Sequence, residues 1–291
     1  MDKSNSVFFM DSDEELWYTI ADELGLNVIS MPYVMNDEVI DYWLGKDFDD
    51  KDFFNKIRKG SMPTTCALNP DQYVSYFEPF FKNGKDILYV HFSNKLSGTL
   101  KYMEIALQDL YKKYPERKLV TIDTKNISVG AGMMVEDLAK MFNDGICVEE
   151  IVKFADEHRN NYSEMFTVND LNHLKRGGRL SAVQAFIGGM LDIKPIIRIT
   201  EEGELKKIMQ VSGRKKAISS MLNLYQENAV IDDKHPVYVL HADCEKEALS
   251  FKEQLLFLHP NLRIVIQAIG PTVGAHCGPD TLGIAYYATH R

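Results

Sequence analysis

Ile87-Leu88-Tyr89-Val90-His91-Phe92 is an apolar, strand-forming run that breaks into Ser93-Asn94-Lys95-Leu96-Ser97-Gly98-Thr99, after which amphipathic residues resume over 100–111. A buried strand that ends in a hydroxyl-rich, glycine-containing turn and feeds a helix is half of a βαβ unit. The turn gathers unpaired backbone N–H groups, the positive end of a helix dipole and several hydroxyls in a small volume. One N-cap explains one hydroxyl; Ser93, Ser97 and Thr99 exceed that need, and the excess points to an anion or carboxylate site. A second hydroxyl cluster, Pro63-Thr64-Thr65, also precedes a helical segment. A third turn, rich in glycine, runs from Gly270-Pro271 through Gly274-Ala275-His276-Cys277-Gly278.

Working outward, the residues before this stretch read as a strand at 7–10 ending in Asp11-Ser12, a helix over 13–24 stopped by Gly25, and a second strand at 26–32. A hairpin over 33–42 turns at Asn36-Asp37, and a helix follows over 47–59. After a helix at 71–82, the strand at 87–92, the helix at 98–114 and a strand at 119–122 alternate, as in a largely parallel sheet. Two further helices, 129–143 and 148–161, close the first half. The second half alternates strands at 165–168, 237–241, 263–269 and 284–287 with helices at 181–191, 214–227 and 246–259. It also holds a hairpin, 195–200 with 204–211. The expected fold is α/β in two domains, 1–161 with a small hairpin insertion near 31–62, and 162–291, with a ligand cleft between them. In such sheets ligands bind outside the carboxyl ends of the strands, where Asp11-Ser12 and the 93–99 turn both lie.

Composition excludes several classes. A net charge of -9 over 291 residues argues against a nucleic-acid surface or an anionic membrane as partner, since both need a concentrated basic face. Cys66, Cys147, Cys244 and Cys277 show no paired spacing and read as free thiols, and the eight histidines show no metal-ligand clustering. The apolar run at 7–10 is too short for a signal peptide, and no segment approaches a membrane span, so a cytoplasmic protein is expected. Gly130-Ala131-Gly132 lacks the third glycine and the abutting strand of a dinucleotide fingerprint and reads as close helix packing. Neither a Walker loop nor a Gly-x-Ser-x-Gly elbow is present. His276 is a loop histidine on the bland reading and a general base on the sharp one. Arg176 and Arg179 flank Gly177-Gly178, where a guanidinium can approach a phosphate or carboxylate in bidentate fashion.

Taken in order, Asp11-Ser12, Pro63-Thr64-Thr65, Leu96-Ser97-Gly98-Thr99, Asp123 with Ser128 and Gly130-Ala131-Gly132, Asp170-Leu171 through Lys175-Arg176-Gly177-Gly178-Arg179-Leu180-Ser181, and the His276 turn resemble the DegV family of bacterial fatty-acid-binding proteins along nearly the whole chain. The resemblance implies a DegV-like fold clasping one long-chain fatty acid. Its carboxylate would be held by Thr64 or Thr65, Ser93 or Ser97, and His276, and its acyl chain would run into an apolar tunnel to which Phe186, Ile187 and Met190 contribute. It also implies that a separate ATP-dependent fatty acid kinase phosphorylates the carboxylate. The chain would then be a carrier without a cofactor, and Arg176 and Arg179 would dock the kinase or contact the phosphoryl group. Thr65-Cys66-Ala67-Leu68 departs from the family's usual Thr-Ser-Gln-Pro, and Ser93-Asn94-Lys95 from its usual Ser-Ser-Gly. The competing reading is a hydrolase or acyltransferase using Ser97 or Cys277 with His276; a third is a lipid-sensing regulatory module.

Overall fold

The structure, a computed structural model, describes residues 5–179 and 192–291. The helix expected over 181–191 and the tunnel residues Phe186, Ile187 and Met190 lie outside the described residues. In chain order, β1 (Ser6–Asp11) leads through a buried turn to α1 (Tyr18–Glu23) and β2 (Asn27–Ile29). The hairpin β3 (Tyr33–Met35) and β4 (Glu38–Ile40) is followed by α2 (Asp50–Arg58), and β5 (Thr64–Thr65) returns to pair with β3. Next come α3 (Pro70–Lys82), β6 (Asp86–His91), α4 (Thr99–Lys113), β7 (Leu119–Asp123), α5 (Ser128–Asn143) and α6 (Val148–His158). The second part holds β8 (Tyr162–Thr167), α7 (Asn172–Arg176), β9 (Ile193–Ile199), β10 (Leu205–Ser212) and α8 (Arg214–Asn228). It ends with β11 (Val237–His241), α9 (Glu245–Leu258), β12 (Ile264–Ala268), α10 (Pro271–Cys277) and β13 (Leu282–Tyr287).

The N-terminal domain carries a parallel sheet in the order β2-β1-β6-β7, with β4-β3-β5 as a small satellite sheet. The second domain carries a mixed sheet, β10-β9-β8-β13-β11-β12, in which β11 and β12 run parallel and the other neighbours antiparallel. Every residue of β8 and β11 is buried; β11 reads as an unbroken apolar run, whereas β8 buries Ser163, Glu164 and Thr167 together with its apolar residues. Local chemistry matches the elements. Asn36 and Asp37 both take positive φ, 52° and 65°, as the tight β3–β4 turn requires. Helix α3 opens with a capping box between Asn69 and Gln72 and with Pro70 in its first turn.

Helix α5 is the layer between the two sheets. Most of its residues are buried, and one continuous core runs from Phe8 and Leu88 of the first sheet through Met134 and Val135 to Tyr162, Leu240 and Ala285 of the second. Gly130 and Gly132 are there for close packing. A Cβ at Gly130 would meet Asn126 Nδ2 at 2.6 Å and Glu164 Oε2 at 2.8 Å, and one at Gly132 would overlap the backbone carbonyl of Glu14.

Two local expectations are corrected. The helix expected over 13–24 is broken: Ser12–Glu14 form one 3-10 turn, Glu15 takes a left-handed φ of 47°, and α1 begins only at Tyr18. The cause is a capping box on Asp11, whose carboxylate accepts Asp13 N at 3.0 Å while its own N donates to Glu14 Oε2 at 3.2 Å. The acids therefore turn inward instead of lining a solvated first helical turn. The His276 segment is likewise a helix, α10, and not an open turn. Among the described residues no helix is long and apolar enough to cross a membrane.

The α5 contact makes a direct prediction. Gly132→Ala drives a methyl into fixed backbone and should destabilise the protein by about 1–3 kcal/mol in urea unfolding. Gly98→Ala, where a Cβ meets nothing within 4 Å, should change stability by less than about 0.5 kcal/mol. Equal effects at the two positions would refute the packing account.

Candidate functional site

Beyond the carboxyl ends of β1 and β6 lies a cavity that the second sheet and α10 close from the other side. Its apolar wall includes Met31, Phe92, Leu96, Phe166, Leu205 and Val273, and its polar lining includes Asp13, Thr65, Ser97, Arg179, Thr272 and His276.

Thr65 reaches the cavity through strand alternation. In β5 it pairs with Tyr33 of β3 while Thr64 pairs with Val34, so the two threonines point to opposite faces, and Thr64 is exposed and off the cavity wall. Thr65 Oγ1 lies 3.0 Å from His276 Nε2. The His276 ring fits because Gly177 has no side chain; a Cβ there would run into Nδ1. Burial, helped by the Arg179 charge, pushes the His276 pKa down to about 4, so the ring is neutral near pH 7. Its Nδ1 finds no hydrogen-bond partner among the described residues.

The strand-end turn divides its hydroxyls between two jobs. Ser97, half-buried on the cavity wall, accepts Thr99 N at 3.2 Å and keeps its hydroxyl proton for another acceptor. Thr99 is structural, bonded to Leu68 N at 3.2 Å and Tyr73 OH at 2.9 Å. Ser93 is fully buried behind the wall: its Oγ donates to Gly203 O at 2.8 Å and accepts Lys95 N at 3.2 Å, tying β6 to the β9–β10 turn. The basic pair divides too. Arg179 lines the cavity, its guanidinium donating to Gly177 O at 2.6 Å and Leu96 O at 2.9 Å. Arg176 is exposed outside it, against His173 Nδ1 at 2.7 Å.

Nucleophilic chemistry is poorly served. His276 Nε2 faces Thr65, and among the described residues no bond joins it to Ser97 or Cys277. Burial raises the Cys277 thiol far above its ordinary range, and the exposed Cys66 is raised as well. Among the described residues no three His, Cys, Asp or Glu side chains converge as a metal site requires.

Sequence reasoning missed a group of buried carboxyls beside the cavity. Glu15 accepts Gly270 N at 2.6 Å and the Ser128 hydroxyl, and Glu164 accepts Gly130 N at 2.6 Å. Desolvation, the first cause in each case, pushes Glu15 up to about 7 and Asp13 and Glu164 up to about 8, and raises Asp11 and Glu14 well above the usual carboxylate range. Asp13-Glu14-Glu15 look in sequence like the solvated acids of a helix start. The signal that separates them from such acids is their position directly after a buried strand, at the ligand edge of a parallel sheet.

A family model described as an uncharacterised protein of the DegV family matches residues 8–289. The chain belongs to the DegV family. It is 34% identical over 281 residues to a DegV domain-containing protein of Clostridium perfringens, covering 96% of both chains. It is 30% identical over 276 residues to one of Streptococcus pyogenes, covering 94% of this chain and 95% of that one. Among solved structures it is similar to a DegV family protein from Thermus thermophilus described by its fatty acid binding, with a TM-score of 0.83, 25% identity and coverage of 98% and 99%. It is also similar to DegV of Bacillus subtilis, a fatty acid binding protein, with a TM-score of 0.82, 26% identity and the same coverage. Both likenesses span the two sheets, so this DegV protein shares the whole architecture and not one domain of it.

The raised carboxyl pKa values have a stability consequence. An acid whose folded pKa lies above its unfolded value contributes stability that is complete below the unfolded pKa, about 4, and is lost as pH rises through the folded pKa, here 7 to 8. The protein should therefore lose stability in denaturant titrations between about pH 4 and about pH 8. Glu164→Gln should flatten that slope by up to about 1.4 kcal/mol per pH unit. An unchanged slope would show that Glu164 is ionised in the folded state.

Proposed function

We propose that this DegV protein binds one long-chain fatty acid. The carboxylate sits at the Thr65, Ser97, His276 and Arg179 end of the cavity, and the acyl chain lies along the apolar wall. The observation that carries the reading is the polarity of the lining, with hydroxyl donors and one guanidinium gathered beside a mainly apolar surface that also bears the carboxyls of Asp13 and Glu164. Apolar burial at about 0.8 kcal/mol per methylene supplies most of the affinity, and the polar end sets orientation. Of the alternatives left open by sequence, the geometry favours Thr65 over Thr64 and Ser97 over Ser93, with Ser93 supporting the turn from behind. The division into residues 1–161 and 162–291, with the ligand between the two parts, belongs to the same proposal.

The chain acts in this reading as a cytoplasmic carrier that presents the acid to a separate ATP-dependent fatty acid kinase, which makes the acyl phosphate. What supports this is that neither Ser97 nor Cys277 is bonded to His276 among the described residues, together with a grip of hydroxyls and one guanidinium. Exposed Arg176, on the surface next to the cavity, is the residue proposed to meet the kinase.

Mass spectrometry of the purified protein in its native state should show one exchangeable fatty acid per chain. No binding of any long-chain acid would overturn the reading. In titrations with palmitate, Thr65→Ala and Ser97→Ala should each weaken binding by about 1–3 kcal/mol, the range for a lost hydrogen bond to a charged group, while Thr64→Ala leaves it unchanged. Arg176→Ala should lower acyl phosphate formation by a kinase plus ATP without altering palmitate affinity. Turnover of ester substrates by the chain alone would favour the hydrolase instead.

A further inference from the structure

Asp13 lines the cavity and takes no part in the carboxylate grip. It is 5% exposed and faces the cavity, and its Oδ1 is a buried oxygen with no hydrogen-bond partner among the described residues. Its neighbours are unusual for an acid. Thr272 on α10 and the Arg179 charge face it from the cavity side, and Glu15 presses on it from its own turn. Asp13 in turn acts on the remaining groups packed around it, which are Asp11, Glu14, Tyr42 and Tyr73. Burial comes first in raising the proton affinity of Asp13 and the Glu15 charge adds to it, while the Thr272 hydroxyl and the Arg179 charge oppose it. A lone buried acceptor is costly, whereas a protonated carboxyl becomes a donor whenever an acceptor enters the cavity.

Resting on the fatty-acid reading above, we propose that Asp13 is a specificity-determining ligand contact: it carries a proton on its cavity-facing carboxyl and donates it in a hydrogen bond to the incoming carboxylate, beside Arg179. A carboxylate satisfies both partners at once, accepting from Asp13 and cancelling the Arg179 charge. A fatty alcohol or methyl ester accepts from Asp13 but leaves the guanidinium unneutralised, so the cavity prefers the acid. Charge balance fixes a further property. With Asp13 protonated, the ligand anion adds the single negative charge that Arg179 pairs. With Asp13 ionised, that charge is already in place, and binding must take up one proton from solvent to remove it. A protonated acid acting as a hydrogen-bond donor in an apolar site is an established physical device.

The test uses dodecanoate and dodecanol with the full chain, read by isothermal titration calorimetry between about pH 6 and about pH 9 in buffers of different ionisation enthalpy. Wild type should bind dodecanoate with constant affinity below the Asp13 transition. Above it, affinity should fall by up to about tenfold per pH unit, with proton uptake approaching one per ligand. Asp13→Asn, which keeps a neutral donor of the same shape, should bind dodecanoate at the low end of the range within about threefold of wild type, and should lose both the fall and the uptake. Dodecanol affinity should not fall in either protein. If wild type binds dodecanoate with no proton uptake at any pH, or if Asp13→Asn keeps the same pH profile, the role of Asp13 is overturned while fatty-acid binding stands. If wild type binds no dodecanoate at all, the underlying functional reading fails and this inference goes with it. Glu164 lines the same cavity and is raised to the same range, so Glu164→Gln separates the two acids even if Asp13→Asn does not fold: it should keep the fall and the uptake, and loss of both would overturn the role of Asp13.

Discussion

Helix α5 has to lie against two sheets at once, and the rest of the molecule is arranged around that close approach. Gly130 and Gly132 allow it on the steric side, since the space a side chain would take is filled by Asn126 and Glu164 and by the Glu14 backbone. Polar groups at the helix start must be satisfied without water. Glu15 does so from the β1 turn, accepting Gly270 N and the Ser128 hydroxyl, and Glu164 does so from β8, accepting Gly130 N. Three elements distant in sequence thus meet at one helix terminus. The positive end of the α5 dipole moderates the presence of so many acids, although burial outweighs it and raises their pKa values.

The cavity is a by-product of this meeting. The β1 turn cannot run straight on as a helix because its acids are drawn inward, and its left-handed residue, Glu15, turns the chain so that Asp13 faces the gap between the sheets. Helix α10 and β5 close the gap from the other side through the Thr65–His276 contact, with Gly177 leaving room for the ring. The result is a lining of hydroxyls, one guanidinium and two buried carboxyls, Asp13 and Glu164, whose pKa values burial raises. Such a lining suits an anion, and among the described residues neither Ser97 nor Cys277 is bonded to His276. The proposed division of labour with a kinase rests on that reading of the lining.

Much of this was legible in the sequence. Strands with continuous apolar runs, such as 87–92 and 237–241, and helices bounded by strong caps, such as α3 with Asn69 and Gln72, were readable because burial and capping are local signals. The glycines of α5 were correctly read as close packing and not as a nucleotide loop. What escaped was anything set by contacts between distant segments. Thr64 and Thr65 are equivalent in sequence, and only their pairing with β3 decides which faces the ligand. Ser93 and Ser97 look alike until the β9–β10 turn claims one of them through Gly203. Asp13-Glu14-Glu15 fall in the first turn of the helix expected over 13–24, because the composition of a helix start and that of a buried acidic turn are the same; the second sheet makes the difference.

The most direct measurement of the central claim is carbon NMR of carboxyl-labelled palmitate bound to the protein, followed through a pH titration. A carboxylate gripped beside Arg179 and several donors should give one saturable bound resonance that stays ionised well below the pH at which free palmitate protonates. A bound resonance that titrates like the free acid, or no bound resonance at all, would contradict the account.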